Sequence, residues 1–209
     1  SGSPDAGFYI GQCYPCDAIV NNVISENNGL GYSGTNSGGS LYIISSVFRN
    51  NKGGLAPNTL DSELLPPERE TFIIGNLIEN NNNNDAPATK STYLSFGNGV
   101  IIAGGNNNII KNNVIADHDL YGVILTAAAD VNYWPAHGNR VEDNLILSSN
   151  RADMAISGIS NLGNCFKGNY FNTSIPPGLQ SLNNCDAGYI PLSSDLSGMW
   201  SSLARLINA

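Results

Sequence analysis

The stretch NVISENN at residues 22–28 recurs along the chain as SVFRNN from Ser46, NLIENNN from Asn76, NVIADHD from Asn113, NLILSSN from Asn144 and NYFNTS from Asn169. Each copy is a polar residue, a pair of bulky apolar residues and a polar turn, and the starts lie 24, 30, 37, 31 and 25 residues apart. A variable period of this size is that of a solenoid, with the variation carried in loops. Three residues before each start stands a further apolar side chain: Ile19, Ile43, Ile73, Ile110, Val141 and Phe166. Before that comes another short apolar run, usually led by Gly: GFYI from Gly7, GLGYS from Gly29, GLAPN from Gly54, GVII from Gly99, GVIL from Gly122, and MAIS from Met154. Each repeat therefore reads as three short strands. Strands this short cannot satisfy their backbones within one coil, so they pair with the coils on either side.

The reading is an all-β parallel β-helix solenoid of about six to seven coils over residues 1–175, followed by a C-terminal loop and capping helix over 176–209. In the tail, Leu196, Met199, Trp200, Leu203 and Leu206 share one helical face, with Ser194 or Asp195 available as N-cap. The recurring Asn is expected to stack at one corner, where side-chain amides ~4.8 Å apart hydrogen-bond to each other and to turn backbone. Asn27, Asn51 and Asn81 are expected to form a second such ladder, with His118 in the same position of the fourth copy. The N-terminal strand leaves an unpaired edge, so self-association through that end, or further coils upstream, is expected.

The formal net charge is −8, from 9 Lys and Arg against 17 Asp and Glu. Nucleic acid and anionic membrane surfaces need a dense cationic patch, which this balance does not supply. No apolar stretch approaches the ~20 residues of a membrane helix. Four cysteines, Cys13, Cys16, Cys165 and Cys185, are an even count that suits two disulfides and an oxidising, extracellular or periplasmic, compartment. The CxxC spacing of Cys13 and Cys16 also suits a redox dithiol or half a zinc site, but no second ligand pair at zinc-like spacing accompanies it. Cys165 and Cys185 are expected to tie the cap down.

The Gly-led strands and the Asn before V-I, L-I or Y-F pairs resemble the right-handed parallel β-helix repeat proteins, the pectate-lyase-like superfamily, over about residues 6–172. The resemblance implies the fold. Members include polysaccharide lyases, hydrolases and epimerases as well as adhesins and surface proteins, so the implied function is a secreted β-helix that binds or acts on polysaccharide, or else a non-catalytic structural or adhesive segment of a larger surface protein.

Long loops at 57–70, 82–98 and 127–139 interrupt the repeat. The first and third leave the same corner of the coil and are expected to wall a lateral groove. One wall would hold Asp61, Glu63, Glu68, Arg69 and Glu70; the other, Asp130, Tyr133, Trp134, His137 and Arg140. Asp61, Glu63, Asp130 and His137 are candidate acid–base groups, while Tyr133, Trp134, Arg69 and Arg140 are candidate sugar-binding groups, because aromatic faces beside hydrogen-bonding charges suit a glycan. Fastening of the third loop by its aromatics is the competing reading. A second constellation, Asp117, His118, Asp119 and Tyr121, offers a base and a proton donor at one turn, beside Glu26 and Glu79. No cofactor is expected, with calcium as a candidate bridge to an anionic glycan; without calcium or Arg69, Arg140 and Lys90, the acidic surface favours neutral glycans.

Overall fold

In the computed structural model, which describes residues 1–158 and 162–186, the repeats stack as coils of three strands. The first sheet has seven parallel strands: Ala6–Tyr9, Leu30–Thr35, Gly53–Asn58, Asn98–Ala103, Tyr121–Thr126, Ala152–Ser157 and Ser174–Ile175. The second is built from Ala18–Asn21, Gly38–Ile44, Arg69–Ile74, Ile109–Lys111, Arg140–Glu142 and Cys165–Lys167. The third is built from Ile24–Glu26, Val47–Arg49, Leu77–Glu79, Val114–Ala116, Leu145–Leu147 and Tyr170–Phe171. The protein is a right-handed parallel β-helix of six full coils and the start of a seventh. A helical turn at Leu179–Leu182 follows. The helix expected over 194–206 lies outside the described residues.

The corners explain the sequence. Entering the third sheet, Asn22, Ser45, Gly75, Asn112, Asp143 and Gly168 all have φ between 47° and 68°, the left-handed region. Leaving it, Asn27, Asn50, Asn80, Asp117 and Ser148 do the same. The residue after each of these turns points inward and stacks. At the entry corner Ser46 donates its backbone N–H to Asn76 Oδ1 at 3.0 Å, and Asn76 donates both N–H and Nδ2 to Asn113 Oδ1 at 2.9 and 3.0 Å. The ladder continues through Asn144 and Asn169 and ends on Gln180 Oε1 in the helical turn. At the exit corner it runs Asn28, Asn51, Asn81 and then His118. A third ladder, which the repeat pattern did not announce, joins Thr71, Asn108, Asn139 and Asn164 where the chain enters the second sheet. The Asn-Asn dipeptides thus divide two tasks: the first Asn tolerates φ > 0 and the second is the rung.

The exit ladder also accounts for the Gly that leads each first-sheet strand. A Cβ on Gly99 would lie 2.6 Å from His118 Nε2, and one on Gly54 3.1 Å from Asn81 Nδ2 and 2.1 Å from the Gly99 carbonyl. Inside the ladders, Tyr32, Leu55, Val100, Val123 and Met154 form one buried column. Ile43, Ile73, Ile110, Val141 and Phe166 form a second, and Phe48, Ile78, Ile115 and Ile146 a third. Each fully buried side chain of this size contributes roughly 1.5–3 kcal/mol.

The first coil is offset by one residue from the repeat frame. Val20, not Ile19, pairs with Ile43 and points inward, leaving Ile19 66% exposed; Asn28, not Asn27, is the rung. Val23 therefore occupies the place of Ser46, and its N–H reaches Ser46 Oγ at 3.2 Å. A slip of one residue turns every strand side chain to the other face, so only the pattern of burial fixes the register.

Two ladder members are titratable. Glu68, fully buried, caps the third ladder by accepting Asn108 Nδ2 and Thr71 Oγ1, both at 2.8 Å, and burial pushes its carboxyl up to about 8. His118 accepts the Asn81 N–H at Nδ1 and faces the Ile78 carbonyl with Nε2, both at 3.3 Å; burial lowers its pKa to about 4.

Truncating a central rung, Asn113→Ala, orphans the Asn76 N–H and Nδ2 and the Ile73 carbonyl. A loss of about 1–3 kcal/mol per stranded group is expected in chemical denaturation, against under about 0.5 kcal/mol for an exposed loop Asn. The two titratable rungs give opposite pH slopes. Folded Glu68 keeps its proton to about pH 8 whereas the unfolded chain releases it near 4.5, so stability is highest below 4.5 and declines as pH rises to 8. Folded His118 stays neutral down to about 4 whereas the unfolded chain protonates it near 6.5, so stability is complete above 6.5 and is lost as pH falls towards 4. Melting curves across pH should show Glu68→Gln flattening the alkaline slope and His118→Asn the acid one; an unchanged slope in either variant refutes that assignment.

Candidate functional site

The loops at 57–70 and 127–139 do leave one corner, but they do not stand apart as groove walls. The second folds into a small antiparallel hairpin, Ala128–Ala129 with Tyr133–Trp134. This hairpin lies down across the short turn of the intervening coil. Gly104 (φ 70°) permits that approach, since a Cβ there would come within 2.9 Å of the Cβ atoms of Ala128 and Trp134. The hairpin then reaches Asp61. Asp61 Oδ1 accepts Asn132 Nδ2 at 2.7 Å and Trp134 Nε1 at 3.1 Å, Oδ2 accepts the Asn132 N–H at 2.7 Å, and the Asp61 N–H donates to Asp130 Oδ2 at 2.9 Å. These donors, the Asn132 backbone first, hold the Asp61 carboxyl below its ordinary range. The expected groove is therefore bridged across its middle, and Asp61, Asp130 and Trp134 fasten one loop to the other.

Beside this staple, Glu63 meets a residue that lies outside the three long loops. Tyr9 Oη donates to Glu63 Oε2 at 2.6 Å. Tyr9 ends the first strand pointing outward and is 48% exposed. Burial of the ring and then the Glu63 carboxylate raise its phenol to about 12. Around the pair, Gln12 Oε1 accepts the Leu64 N–H at 3.2 Å, Asn36 Nδ2 donates to the carbonyls of Leu60 and Glu63 at 2.7 and 3.1 Å, and Thr35 Oγ1 donates to Asn58 Oδ1 at 3.1 Å. Thr35 and Asn58 pair in register on adjacent strands. The alternation in GFYI was a usable signal: with Phe8 in the core column, Tyr9 has to face out.

The other candidates disperse. Arg69 stacks on Tyr14, its guanidinium 3.8 Å from the ring centroid, and Tyr14 Oη donates to Glu70 at 2.9 Å. Arg140 lies on the outer face of the second sheet, paired with Glu142, which Lys111 also reaches at 3.3 Å. His137 Nδ1 accepts the Leu162 N–H at 3.3 Å. Tyr133 is 42% exposed on the hairpin. Glu68 lies inside the coil, not on a groove wall. In the second constellation, Asp117 is the left-handed turn residue, His118 is a buried rung, Tyr121 is buried with the Arg151 guanidinium 5.6 Å from its ring, and Asp119 accepts amides of Asn82 and Asn150 at 3.2 and 3.3 Å. His118 is thus buried in the ladder and held neutral, while Asp119 stays at the surface. Lys90 precedes the short 3₁₀ turn Ser91–Ser95 of the remaining loop, which the buried Lys52 fastens by donating to the Asn83 and Asn84 carbonyls at 3.3 and 2.6 Å.

Both cysteine pairs are bridged, Cys13 to Cys16 and Cys165 to Cys185. Among the described residues, no three His, Cys, Asp or Glu side chains are grouped to hold a metal ion, and no helix is long and apolar enough to cross a membrane.

No protein-family model matches the chain, and no curated protein matches it in sequence. Among solved structures it is similar to the A-module of the mannuronan C-5 epimerase AlgE4 from Azotobacter vinelandii. The TM-score is 0.59 and the identity 16%, over 91% of this chain and 53% of that one. The chain spans about half the length of the structure it matches, and at this identity the likeness is one of fold: both are parallel β-helices.

Proposed function

We propose that this β-helix binds or acts on a polysaccharide at the lateral surface where the loop carrying Glu63 meets the first coil, and does so outside the reducing cytoplasm. The observation that carries the reading is the exposed Tyr9 hydroxyl 2.6 Å from the Glu63 carboxylate. A phenol raised to about 12 stays protonated through the neutral range, so Tyr9 acts as a proton donor and Glu63 as the acceptor. The second carboxylate oxygen of Glu63 accepts one sugar hydroxyl, and Tyr9 turns its single proton to a neighbouring sugar oxygen when the sugar displaces the Tyr9–Glu63 bond. The similar solved structure belongs to an epimerase of mannuronan, which supports a glycan as the ligand class. Asp61, Glu70 and Asp130 nearby favour a neutral glycan over a polyanionic one. Hydrolysis by a carboxylate pair fits less well, because the Asp61 oxygens are already committed to three donors. The Asp61 staple itself favours a second reading, a non-catalytic solenoid whose loops serve rigidity.

Titration of neutral and acidic polysaccharides against the protein separates these. Tyr9→Phe and Glu63→Gln should each weaken binding about tenfold, equivalent to about 1.4 kcal/mol. Should a reaction occur, seen as unsaturated-sugar absorbance or new reducing ends, Tyr9→Phe should slow it about 10²–10⁴-fold. Binding that survives both substitutions removes this site; a wild-type protein that binds no polysaccharide leaves the structural reading.

A further inference from the structure

The Cys13–Cys16 bridge lies in the segment that seats Tyr9. A Cβ on Gly11 would fall 2.2 Å from Tyr9 Oη, so the phenol rests directly on the Gly11 backbone. The next residue, Gln12, bonds the second coil through its N–H to the Thr35 carbonyl at 2.8 Å and the third coil through Oε1 to Leu64, beside Glu63. Tyr14, between the two cysteines, holds Arg69 and Glu70 at the far end of the same loop. One short segment thus links the donor and the acceptor of the proposed site, and the bridge closes that segment on itself.

The two disulfides do different work. Cys165–Cys185 spans 20 residues and ties the last complete coil to the segment beyond the helical turn. Cys13–Cys16 spans three, so it removes less freedom from the unfolded chain and acts mainly on the local shape of its own loop. Its chemistry also suits opening. Both residues are half-buried, and Cys16 Sγ, 3.0 Å from the Cys13 carbonyl oxygen, accepts the Gly38 N–H at 3.2 Å, a bond available to a Cys16 thiolate.

We infer that Cys13–Cys16 is a redox-operated clasp on the Tyr9–Glu63 site, an inference that takes that site from the proposed function. A thiolate of a dithiol reductant attacks Cys13 Sγ, the Cys13–Cys16 bond breaks, and Cys16 leaves as the thiolate held by Gly38. The second thiol of the reductant then attacks the mixed disulfide and releases Cys13. Two electrons pass to the protein, each sulfur takes up one proton only when it becomes a thiol, and the reductant leaves as its disulfide. With the ring open, Gly11 no longer fixes the phenol and Gln12 releases Leu64. Asn36 and Asp61 still hold the loop as far as Glu63, and Glu68 to Glu70 stay fixed by the third ladder and the second sheet, so the response is confined to residues 9–16 and 64–67.

Dithiothreitol treatment of the whole chain, followed by mass spectrometry of each bridge and by amide resonances and hydrogen exchange, tests this. The variant carrying Cys13→Ser and Cys16→Ser, which keeps Cys165–Cys185, is measured beside it. Cys13–Cys16 should open first, the Gly11, Gln12 and Leu64 resonances should move, and the Leu64 amide should exchange about tenfold faster, while the Asn76 and Asn113 rung amides stay protected. The same response is expected of the variant without reductant. A bridge that outlasts Cys165–Cys185, or an opened bridge with residues 64–67 unmoved, overturns the clasp. Polysaccharide binding, read separately, should fall on opening; if the loop responds but no polysaccharide binds in either state, the clasp stands and the proposed ligand fails.

Discussion

Everything in this molecule depends on a side-chain amide that turns the corner for the backbone. Three-residue strands offer few hydrogen bonds of their own, and at each bend the chain points peptide groups into the interior, where an unpaired donor or acceptor costs about 1–3 kcal/mol. The rung residue meets both needs, taking a backbone N–H from the coil before and giving Nδ2 to a carbonyl and to the next rung. The left-handed residue ahead of it and the Gly after the exit corner are steric consequences of seating that amide. Apolar columns then fill the space between ladders. Most loop residues bear none of this load, the exceptions being Glu68 and Asn139 where the loops rejoin the third ladder, which is why the third coil can carry excursions of ten or more residues and still return in register.

This division explains what could be read from the residues. Fold and coil count follow from periodic features, because Asn, the apolar pair and Gly recur wherever the physics recurs. The first coil escaped the frame by one residue because it has Val23 in place of a rung, so the polar residue that marks the corner, Asn22, is the left-handed turn residue, and two equally apolar neighbours, Ile19 and Val20, compete for the interior. The third ladder escaped because Asn108, Asn139 and Asn164 sit inside or beside the irregular loops, where a turn Asn and a rung Asn look alike. His118 shows the converse: a residue with catalytic associations occupies a position that geometry reserves for a rung, and burial decides its state.

The site was legible only in part, for a different reason. Glu63 stood out as an acid in a long loop, but its partner is 54 residues away and belongs to another coil. Which loop atoms meet depends on how two excursions fold over the solenoid. Gly104 looked like mere turn material, yet its missing side chain lets the hairpin cross and lets Trp134 reach Asp61. Aromatic and acidic residues gathered at one corner are as able to staple loops as to bind a sugar, and here both outcomes occur within a few residues of each other.

The ladders share one more property: they all point the same way. In each, the rung oxygen accepts from the coil before, and in Asn28, Asn51, Asn76, Asn113, Asn139, Asn144 and Asn169 the nitrogen donates to the rung after, from Ser3 donating to Asn28 Oδ1 at 3.0 Å to Asn169 donating to Gln180. The side-chain dipoles therefore add along the axis instead of cancelling, and the cylinder is a polar rod with carbonyl character at its first rungs and N–H character at its last. A coil paired with these rungs in the same sense extends the ladder it meets, whereas one laid in the opposite sense sets oxygen against oxygen or nitrogen against nitrogen. Direction of growth is thus written into the interior of the solenoid, independently of anything on its surface.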